Sequence, residues 1–168
     1  MVFSSDGLRI RSADSLHHEI AQGMKLIELE EVYLPVLRSI EGTIMKRELG
    51  IARCGLACCL CSENDHCGGC NSGDCPGTGF CENRPCSIDK GIGHCYECNE
   101  ECKKGMLTKI KPYGFTMYIK RYGEPNLLDC LERNEKAGVV YHREGIVGDY
   151  DDFNDVEELI DFIRTGNK

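Results

Sequence analysis

Apolar residues recur every three or four positions near the start of the chain. Leu16, Ile20, Met24 and Ile27 follow this spacing, which is the pattern of an amphipathic helix. Proline inside a helix removes a backbone hydrogen bond, so Pro35 should kink the run or open a second helix. The apolar stripe continues after it with Val36, Leu37, Ile40, Ile44 and Met45. The pattern predicts two packed helices within residues 1–53.

Helical spacing returns after residue 102. One apolar face contains Phe115, Tyr118, Ile119 and Tyr122, and the next contains Leu127, Leu128, Cys130 and Leu131. Gly123 and Gly138 are expected to end these two helices, because glycine favours the backbone conformation in which helices stop. Cys130 falls on the second apolar face, so it is predicted to be a small buried hydrophobic residue.

A further helix is predicted close to the C-terminus. Val156, Leu159, Ile160 and Ile163 form its apolar stripe, Asn154 and Glu157 fit a capping box, and Gly166 follows its end. Before this helix, two short apolar runs flank residues 142–145 and favour a small hairpin over residues 139–147.

Residues 54–102 have no such apolar pattern. Their large apolar or aromatic residues are Leu56, Leu60, Phe80, Ile88, Ile92 and Tyr96, whereas the segment holds 12 of the chain's 13 cysteines. Ordering the backbone costs about 1–2 kcal/mol per residue, and so little apolar surface cannot offset that cost. A structural zinc site contributes about 10–16 kcal/mol to folding. Metal coordination is therefore the interaction expected to hold this segment together.

These patterns predict a mainly α fold with an irregular, metal-stapled cysteine-rich lobe, built from turns like those of zinc knuckles. Residues 1–53 would form an N-terminal helical segment, residues 54–102 the lobe, and residues 103–168 a C-terminal helical segment that packs on it. A chain of 168 residues suits one compact unit of this kind and is too short for a TIM barrel.

The compartment decides how the thiols are interpreted, because oxidising compartments favour disulfides and reducing ones favour metal binding. The first residues lack the basic and apolar regions of a secretory signal. No stretch approaches the roughly 20 apolar residues of a membrane helix. A cytoplasmic protein without membrane contact is expected, and its odd number of cysteines argues against a disulfide framework.

The spacing of the cysteines is typical of metal ligands. Three C-x2-C pairs occur, Cys58/Cys61, Cys67/Cys70 and Cys95/Cys98, and a tight turn at such a pair can aim both sulfurs at one ion. The candidate ligands are Cys54, Cys58, Cys61, Cys67, Cys70, Cys81, Cys86, Cys95, Cys98 and Cys102, with Cys59 and Cys75 as further candidates. Coordination by four thiolates would group them into two or three sites.

Zinc is the favoured metal, because four thiolates are a common structural zinc site and leave no coordination position open. An iron–sulfur cluster is the alternative, since Cys54, Cys58 and Cys61 have the C-x3-C-x2-C spacing of radical S-adenosylmethionine enzymes. The alternating strands and helices that follow this motif in those enzymes are not predicted here.

His66 and His94 each precede a cysteine pair and could replace a thiolate, although exposed turn histidines are the favoured interpretation.

Charge is unevenly distributed along the chain. Residues 54–102 hold eight acidic and two basic residues, so they carry −6 of the net charge of −8. Residues 103–123 contain no acid and hold the basic residues Lys103, Lys104, Lys109, Lys111, Lys120 and Arg121. They could bind nucleic acid, with Tyr113 or Phe115 stacking on bases, or pack beside the anionic lobe and neutralise it. The second hypothesis is favoured, because the aromatic residues have helical core spacing and the net charge repels a polyanion.

Catalytic motifs are missing from the sequence. It contains no hydrolase motif, no phosphate-binding loop and no dinucleotide fingerprint. A chain without enzymatic activity is the favoured expectation. A reactive thiol is the alternative, and Cys59 and Cys75 are its candidates if the other lobe cysteines bind metal.

The order of the motifs resembles a known family. Cys54-Gly-Leu-x-Cys58-x2-Cys61 is followed by Cys67-x-Gly-Cys70, by Cys81-x4-Cys86-x3-Lys90-Gly91, by Cys95-x-Glu-Cys98-x3-Cys102 and by a Tyr122-Gly123 junction. This order, over about residues 51–140, is similar to that of the cysteine-rich prokaryotic proteins catalogued as domain of unknown function 3795. The resemblance implies a metal-binding module of unassigned role. The chain departs from it at Thr78, where the family usually has a cysteine that Cys75 could replace, and at Cys59, which is additional.

The sequence therefore predicts a cytoplasmic zinc-binding module with two or three ions and a structural or interaction role, for which a protein partner is expected. An iron–sulfur protein for electron transfer or redox sensing is the alternative. A nucleic-acid-binding zinc module is the third hypothesis.

Overall fold

The computed structural model of the protein describes residues 45–62, 65–73, 75, 79–142 and 147–167. These residues all belong to one compact unit, which extends from Thr43 to Lys168. Most of the N-terminal helical segment predicted for residues 1–53 lies outside them. No helix in the described ranges is long and apolar enough to cross a membrane.

Four α-helices occur in the described residues: α1 (Asn83–Asp89), α2 (Ile110–Tyr122), α3 (Glu124–Lys136) and α4 (Val156–Thr165). The same part of the chain contains no strand, and its β-type pairing is limited to an isolated antiparallel bridge between Ile51 and Ala57. The predicted mainly α fold is confirmed.

Helices α2, α3 and α4 form the hydrophobic core. Their shared buried positions are Phe115, Tyr118, Leu127, Leu131, Leu159 and Ile163, all of which were predicted from the helical spacing. Helices α2 and α4 approach each other at Gly114 so closely that a side chain at this position would collide with Leu159. Gly123 separates α2 from α3, as predicted. Tyr122, predicted for the buried face, is instead 45% exposed at the end of α2.

The N-terminus of α4 is capped by a residue other than the predicted one. Asp155 Oδ1 accepts hydrogen bonds from the backbone N–H groups of Glu157 at 2.8 Å and Glu158 at 3.1 Å. The capping box predicted for Asn154 and Glu157 is wrong by one position, because the helix begins at Val156. Asp155 also places a negative charge at the positive end of the helix dipole.

A buried ion pair joins α2 to the segment before α4. The Lys111 side chain is only 3% exposed, and its Nζ donates to Asp151 Oδ2 at 2.6 Å and to the Tyr141 carbonyl at 3.3 Å. Burial lowers the pKa of Lys111, whereas the hydrogen bond and charge of Asp151 oppose that effect. Lys111 therefore belongs to the folded interior, and its prediction as a nucleic-acid ligand is wrong.

The hairpin predicted for residues 139–147 is not seen in their described part, which contains no paired strands. Residues 143–146 lie outside the described residues. The ends of this loop are nevertheless joined, since the Asp149 N–H donates to the Val140 carbonyl at 2.8 Å. Tyr141 and Tyr150 lie on the two sides of the loop and both pack against Phe115, with ring centres 6.3 and 5.3 Å away. Tyr141 and Tyr150 thus extend the helical core.

The segment that leads into the cysteine-rich lobe is bound to this core through its backbone. The Ala57 N–H donates to the hydroxyl of Tyr141 at 2.9 Å, and the Cys59 N–H donates to the Gly50 carbonyl at 3.1 Å. Ala57 and Leu60 are buried. These contacts fix the backbone beside the first cysteines relative to the helices.

Replacement of Asp155 by Ala should lower the free energy of unfolding by about 1 kcal/mol, because it removes the acceptor of two N–H groups in the first turn of α4. Asn154→Ala is the matched control, and its effect should stay within about 0.5 kcal/mol. Urea unfolding followed by circular dichroism measures both. A larger loss for Asn154→Ala than for Asp155→Ala would contradict the observed cap.

Replacement of Asp151 by Asn should lower the free energy of unfolding by about 3 kcal/mol, because it leaves the buried ammonium of Lys111 without its charged partner. Glu157→Gln breaks the exposed ion pair with Arg121 and is the control. It should leave the thermal unfolding midpoint almost unchanged, since exposed pairs contribute little. Equal thermal unfolding midpoints for the two variants would show that the buried pair stabilises the fold no more than the exposed pair does.

Candidate metal centre

Two of the C-x2-C pairs lie on turns with the same backbone geometry. Cys58–Leu60 and Cys95–Glu97 each form a single 3-10 turn. In both, the N–H of the second cysteine donates to the carbonyl of the first at 3.1 Å. The second cysteine is extended in both, with φ and ψ of −68° and 137° at Cys61 and of −70° and 132° at Cys98. This is the tight turn that the spacing predicts for a pair of ligands.

Four cysteines line one cavity of about 190 Å³, which we call the four-thiol cavity. They are Cys86 from α1, Cys95 and Cys98 from the second turn, and Cys102 from the segment after it. Cys95 is buried, Cys98 and Cys102 are half-buried, and Cys86 is exposed. The sequence predicted all four as ligands, and the fold brings them together from three segments.

Asn83 fixes one wall of the four-thiol cavity. Its side chain is buried, its Nδ2 donates to the Lys104 carbonyl at 3.1 Å, and its Oδ1 accepts from the Met106 N–H at 2.8 Å. These bonds tie α1 to the segment that follows Cys102. Asn83 was not among the predicted site residues, because no sequence motif marks an asparagine at this position.

Burial raises the pKa of Cys95 to about 11, and the negative charge of Cys102 contributes to this increase. A hydrogen bond with Asn83 opposes it. A neutral thiol is thus favoured at Cys95 as long as no cation lies beside its sulfur. A bound metal ion would reverse this preference, because a coordinating thiol is deprotonated.

Lys90 supplies positive charge to the four-thiol cavity. Its Nζ lies 3.5 Å from Cys98 Sγ and 2.7 Å from Glu100 Oε2. The hydrogen bond to Glu100 raises the pKa of Lys90, and the bond to Cys98 adds to this effect. A second cation, Lys120 of α2, donates to the Cys98 carbonyl at 2.8 Å. Two ammonium groups thus contact Cys98, one at its sulfur and one at its carbonyl.

A second group of cysteines surrounds Cys58. Burial raises the pKa of Cys58 to about 12, with further contributions from the negative charges of Cys70, Cys61 and Cys67. The Cys70 N–H donates to the Cys58 sulfur. A Cβ at Gly69, inside the second C-x2-C pair, would lie 3.9 Å from Cys58 Sγ, so the backbone of the second pair passes beside the first.

Cys54 and Cys81 form a hydrogen-bonded pair. The thiol of the buried Cys54 donates to the sulfur of Cys81, which raises the pKa of Cys54 and lowers the pKa of Cys81 to about 5. The N–H groups of Arg84 and Asn83 also donate to Cys81. The charge of Cys70 adds to the increase in the pKa of Cys54, and the charge of Cys81 adds to that of Cys95.

Cys59 and Cys130 belong to the hydrophobic core. Cys59 is fully buried, and burial raises its pKa to about 12. Cys130 is buried with its Sγ 3.3 Å from the Tyr118 hydroxyl, as its place on an apolar helix face predicted. A buried, protonated thiol is a poor nucleophile, which disfavours Cys59 as a reactive group. Cys75 is half-buried, and residues 74 and 76–78, which include Thr78, lie outside the described residues.

The two histidines of the lobe have different surroundings. His66 is exposed, as predicted. His94 is half-buried, its Nδ1 lies 3.2 Å from Glu97 Oε1, and its ring stacks on Tyr96 with centres 4.7 Å apart. These contacts explain the position of His94 without a role as a ligand.

Several residues of segment 103–123 pair with other groups of the protein or lie in its core. Phe115 is fully buried in the core, so its prediction as a base-stacking residue is wrong. Arg121 makes two hydrogen bonds of 2.6 Å to Glu157, and the Tyr113 hydroxyl donates to Glu101 of the lobe at 3.1 Å. The contact of Tyr113 with Glu101 and that of Lys120 with Cys98 favour the hypothesis that the segment packs against the anionic lobe.

Within the described ranges, no three histidine, cysteine, aspartate or glutamate side chains are grouped so that they could hold a metal ion as they stand. Four cysteines nevertheless line the four-thiol cavity, with Lys90 Nζ 3.5 Å from one of their sulfurs, and cysteine is a common ligand type of structural zinc. A rotation about χ1 moves a cysteine sulfur between staggered positions without a change of backbone.

Comparisons of the chain with protein-family models, with curated proteins and with solved structures found no match. The resemblance to the family catalogued as domain of unknown function 3795 therefore stays a prediction. The chemistry of the thiols and of the groups around them is what indicates a function.

Alkylation with iodoacetamide should separate the core thiols from the lobe thiols. After treatment with a chelator and a reductant, the exposed Cys86 should be modified rapidly, whereas Cys59 and Cys130 should stay unmodified because both are buried. Peptide mass spectrometry gives the order of modification. Addition of urea should make the two core thiols reactive, and fast modification of Cys59 before urea would contradict its place in the core.

Proposed function

We propose that the protein is a zinc-binding module whose metal is held by Cys86, Cys95, Cys98 and Cys102. The observation that supports this most strongly is the four-thiol cavity, which these four cysteines line from three segments of the chain. Cysteine thiolates are common ligands of structural zinc, and four of them complete its tetrahedral coordination.

Zinc in this cavity would crosslink α1 to the turn Cys95–Glu97 and to the segment at Cys102. The lobe needs such a link, because two of its few large apolar side chains are exposed, Phe80 at 94% and Ile88 at 49%. The ion would supply folding free energy that apolar burial does not supply here.

The charges around the cavity are consistent with this role. One zinc ion and four thiolates carry a combined charge of −2, so nearby cations stabilise the site. Lys90 and Lys104 both line the cavity, and Lys120 contacts the backbone of Cys98. The basic segment after the lobe would therefore neutralise the site.

The role that follows is structural, because four thiolates leave no coordination position for a substrate. The module would act as an interaction or scaffolding element with a protein partner. Its place would be the reducing cytoplasm, where free thiols remain available for metal.

An iron–sulfur cluster is the second candidate for the same cysteines, with a role in electron transfer or redox sensing. The position of the Lys90 ammonium 3.5 Å from Cys98 Sγ supports it, because hydrogen bonds to sulfur tune the reduction potential of such clusters. The two candidates differ in colour and in metal content.

Anaerobic purification of the full chain, followed by metal analysis and visible spectroscopy, tests the proposal. The protein should be colourless and contain zinc, and Cys98→Ser should lose about one equivalent because it removes one of four ligands. Cys130→Ala is the matched control, since Cys130 lies in the helical core, and it should keep all its zinc. Wild-type protein without metal would overturn the proposal, whereas a brown protein with stoichiometric iron and sulfide would identify the cluster instead.

A further inference from the structure

We propose a second zinc site, formed by Cys58, Cys61, Cys67 and Cys70 and separate from the four-thiol cavity. The proposal rests on the proposed function, because it takes zinc as the metal and thiolates as the ligands. The four residues are the first two C-x2-C pairs of the chain.

Gly69 brings the second pair against the first. Its φ of +83° lies in the region that residues with side chains rarely adopt. A Cβ at this buried glycine would lie 3.9 Å from Cys58 Sγ, and the N–H of the next residue, Cys70, donates to the same sulfur. The loop that carries Cys67 and Cys70 therefore runs along the Cys58 sulfur.

Two arginines hold Cys70 in this position. The Arg53 N–H donates to Cys70 Sγ at 3.3 Å, and the Arg53 Nε donates to Asn71 Oδ1 at 2.6 Å. From α1, the Arg84 Nε donates to the Cys70 carbonyl at 3.1 Å. Cys70 is thus fixed at its sulfur, at its carbonyl and at the next residue, which is the preorganisation that a ligand requires.

A backbone donor lies at one sulfur of the group, because Cys70 Sγ accepts the Arg53 N–H at 3.3 Å. Hydrogen bonds from such outer groups orient a ligand and support it once a metal ion is bound.

Arg53 keeps this group apart from the four-thiol cavity. Its N–H contacts Cys70 Sγ, whereas its carbonyl accepts the N–H of Cys95 at 2.7 Å. Arg53 therefore lies between a ligand of one site and a ligand of the other. Each group already holds four thiols, which is a full tetrahedral set, so the pair formed by Cys54 and Cys81 is required by neither.

Titration of the full-length, metal-free protein with Co²⁺ under anaerobic conditions tests the second site. Tetrahedral cobalt bound by thiolates absorbs visible light, so the bound equivalents are counted from the spectrum. Cys61→Ser and Cys67→Ser should each bind about one equivalent less than the wild type, because each removes one of four ligands. Cys98→Ser should lose a different equivalent, and the double variant Cys61→Ser/Cys98→Ser should lose about two. Cys130→Ala should lose none.

Differential alkylation of the zinc-loaded wild type gives a readout that needs no variant. Cys58, Cys61, Cys67 and Cys70 should be protected together with zinc and should all be modified after a chelator is added. If Cys61→Ser and Cys67→Ser fail to fold, this protection pattern decides.

The outcomes separate this inference from the proposed function. A single equivalent that is lost in Cys98→Ser and kept in Cys61→Ser would overturn the second site and leave the first. Zinc-loaded protein in which Cys58, Cys61, Cys67 and Cys70 are modified as fast as without zinc would do the same. Wild-type protein that binds neither metal would overturn both proposals.

Discussion

The hydrogen bonds of Arg53 are the constraint on which the described part of the cysteine-rich lobe depends. Its backbone contacts Cys70 and Cys95, and its Nη1 donates to Ser87 Oγ at 3.0 Å and to the Ile92 carbonyl at 2.8 Å. One residue thus connects both cysteine groups with α1. Such bonds contribute about 0.5–3 kcal/mol each, which is small beside the cost of ordering the lobe. Arg53 therefore sets the arrangement of the thiols, and the proposed metal ions would supply the stability.

The helical core positions the lobe through polar contacts rather than through a continuous apolar interface. Asp151 pairs with Lys111, Lys111 donates to the Tyr141 carbonyl, and the Tyr141 hydroxyl accepts the Ala57 N–H. Removing a lysine from water is costly, so this pair contributes little net stability. Its contribution is positional, because it holds Tyr141 in the core beside the residue that precedes Cys58.

Sequence patterns predicted the elements that depend on local spacing and missed those that depend on distant partners. The core faces of α2, α3 and α4 follow from apolar periodicity, since a helix repeats its faces every 3.6 residues. The cap at Asp155 was missed by one position, because Asn154 and Asp155 are equally good capping residues and only the helix start distinguishes them. Asn83 and Arg53 were missed entirely, because their partners follow far along the chain. The cysteines were recognised as a set, but their division into groups required the fold.

The contrast between Cys58 and Cys59 shows why adjacent cysteines can have different roles. The Cys58 sulfur lies beside the backbone of Gly69, and the charges of three other cysteines raise its pKa. Cys59 is fully buried in the apolar core, and the charges that act on it, from Cys58, Glu135 and Glu124, are all negative and raise its pKa. A thiolate is therefore unfavourable at Cys59 on both grounds, whereas a metal ion would stabilise one at Cys58. The surroundings of each sulfur, more than the spacing of the cysteines, determine which thiols can act as ligands.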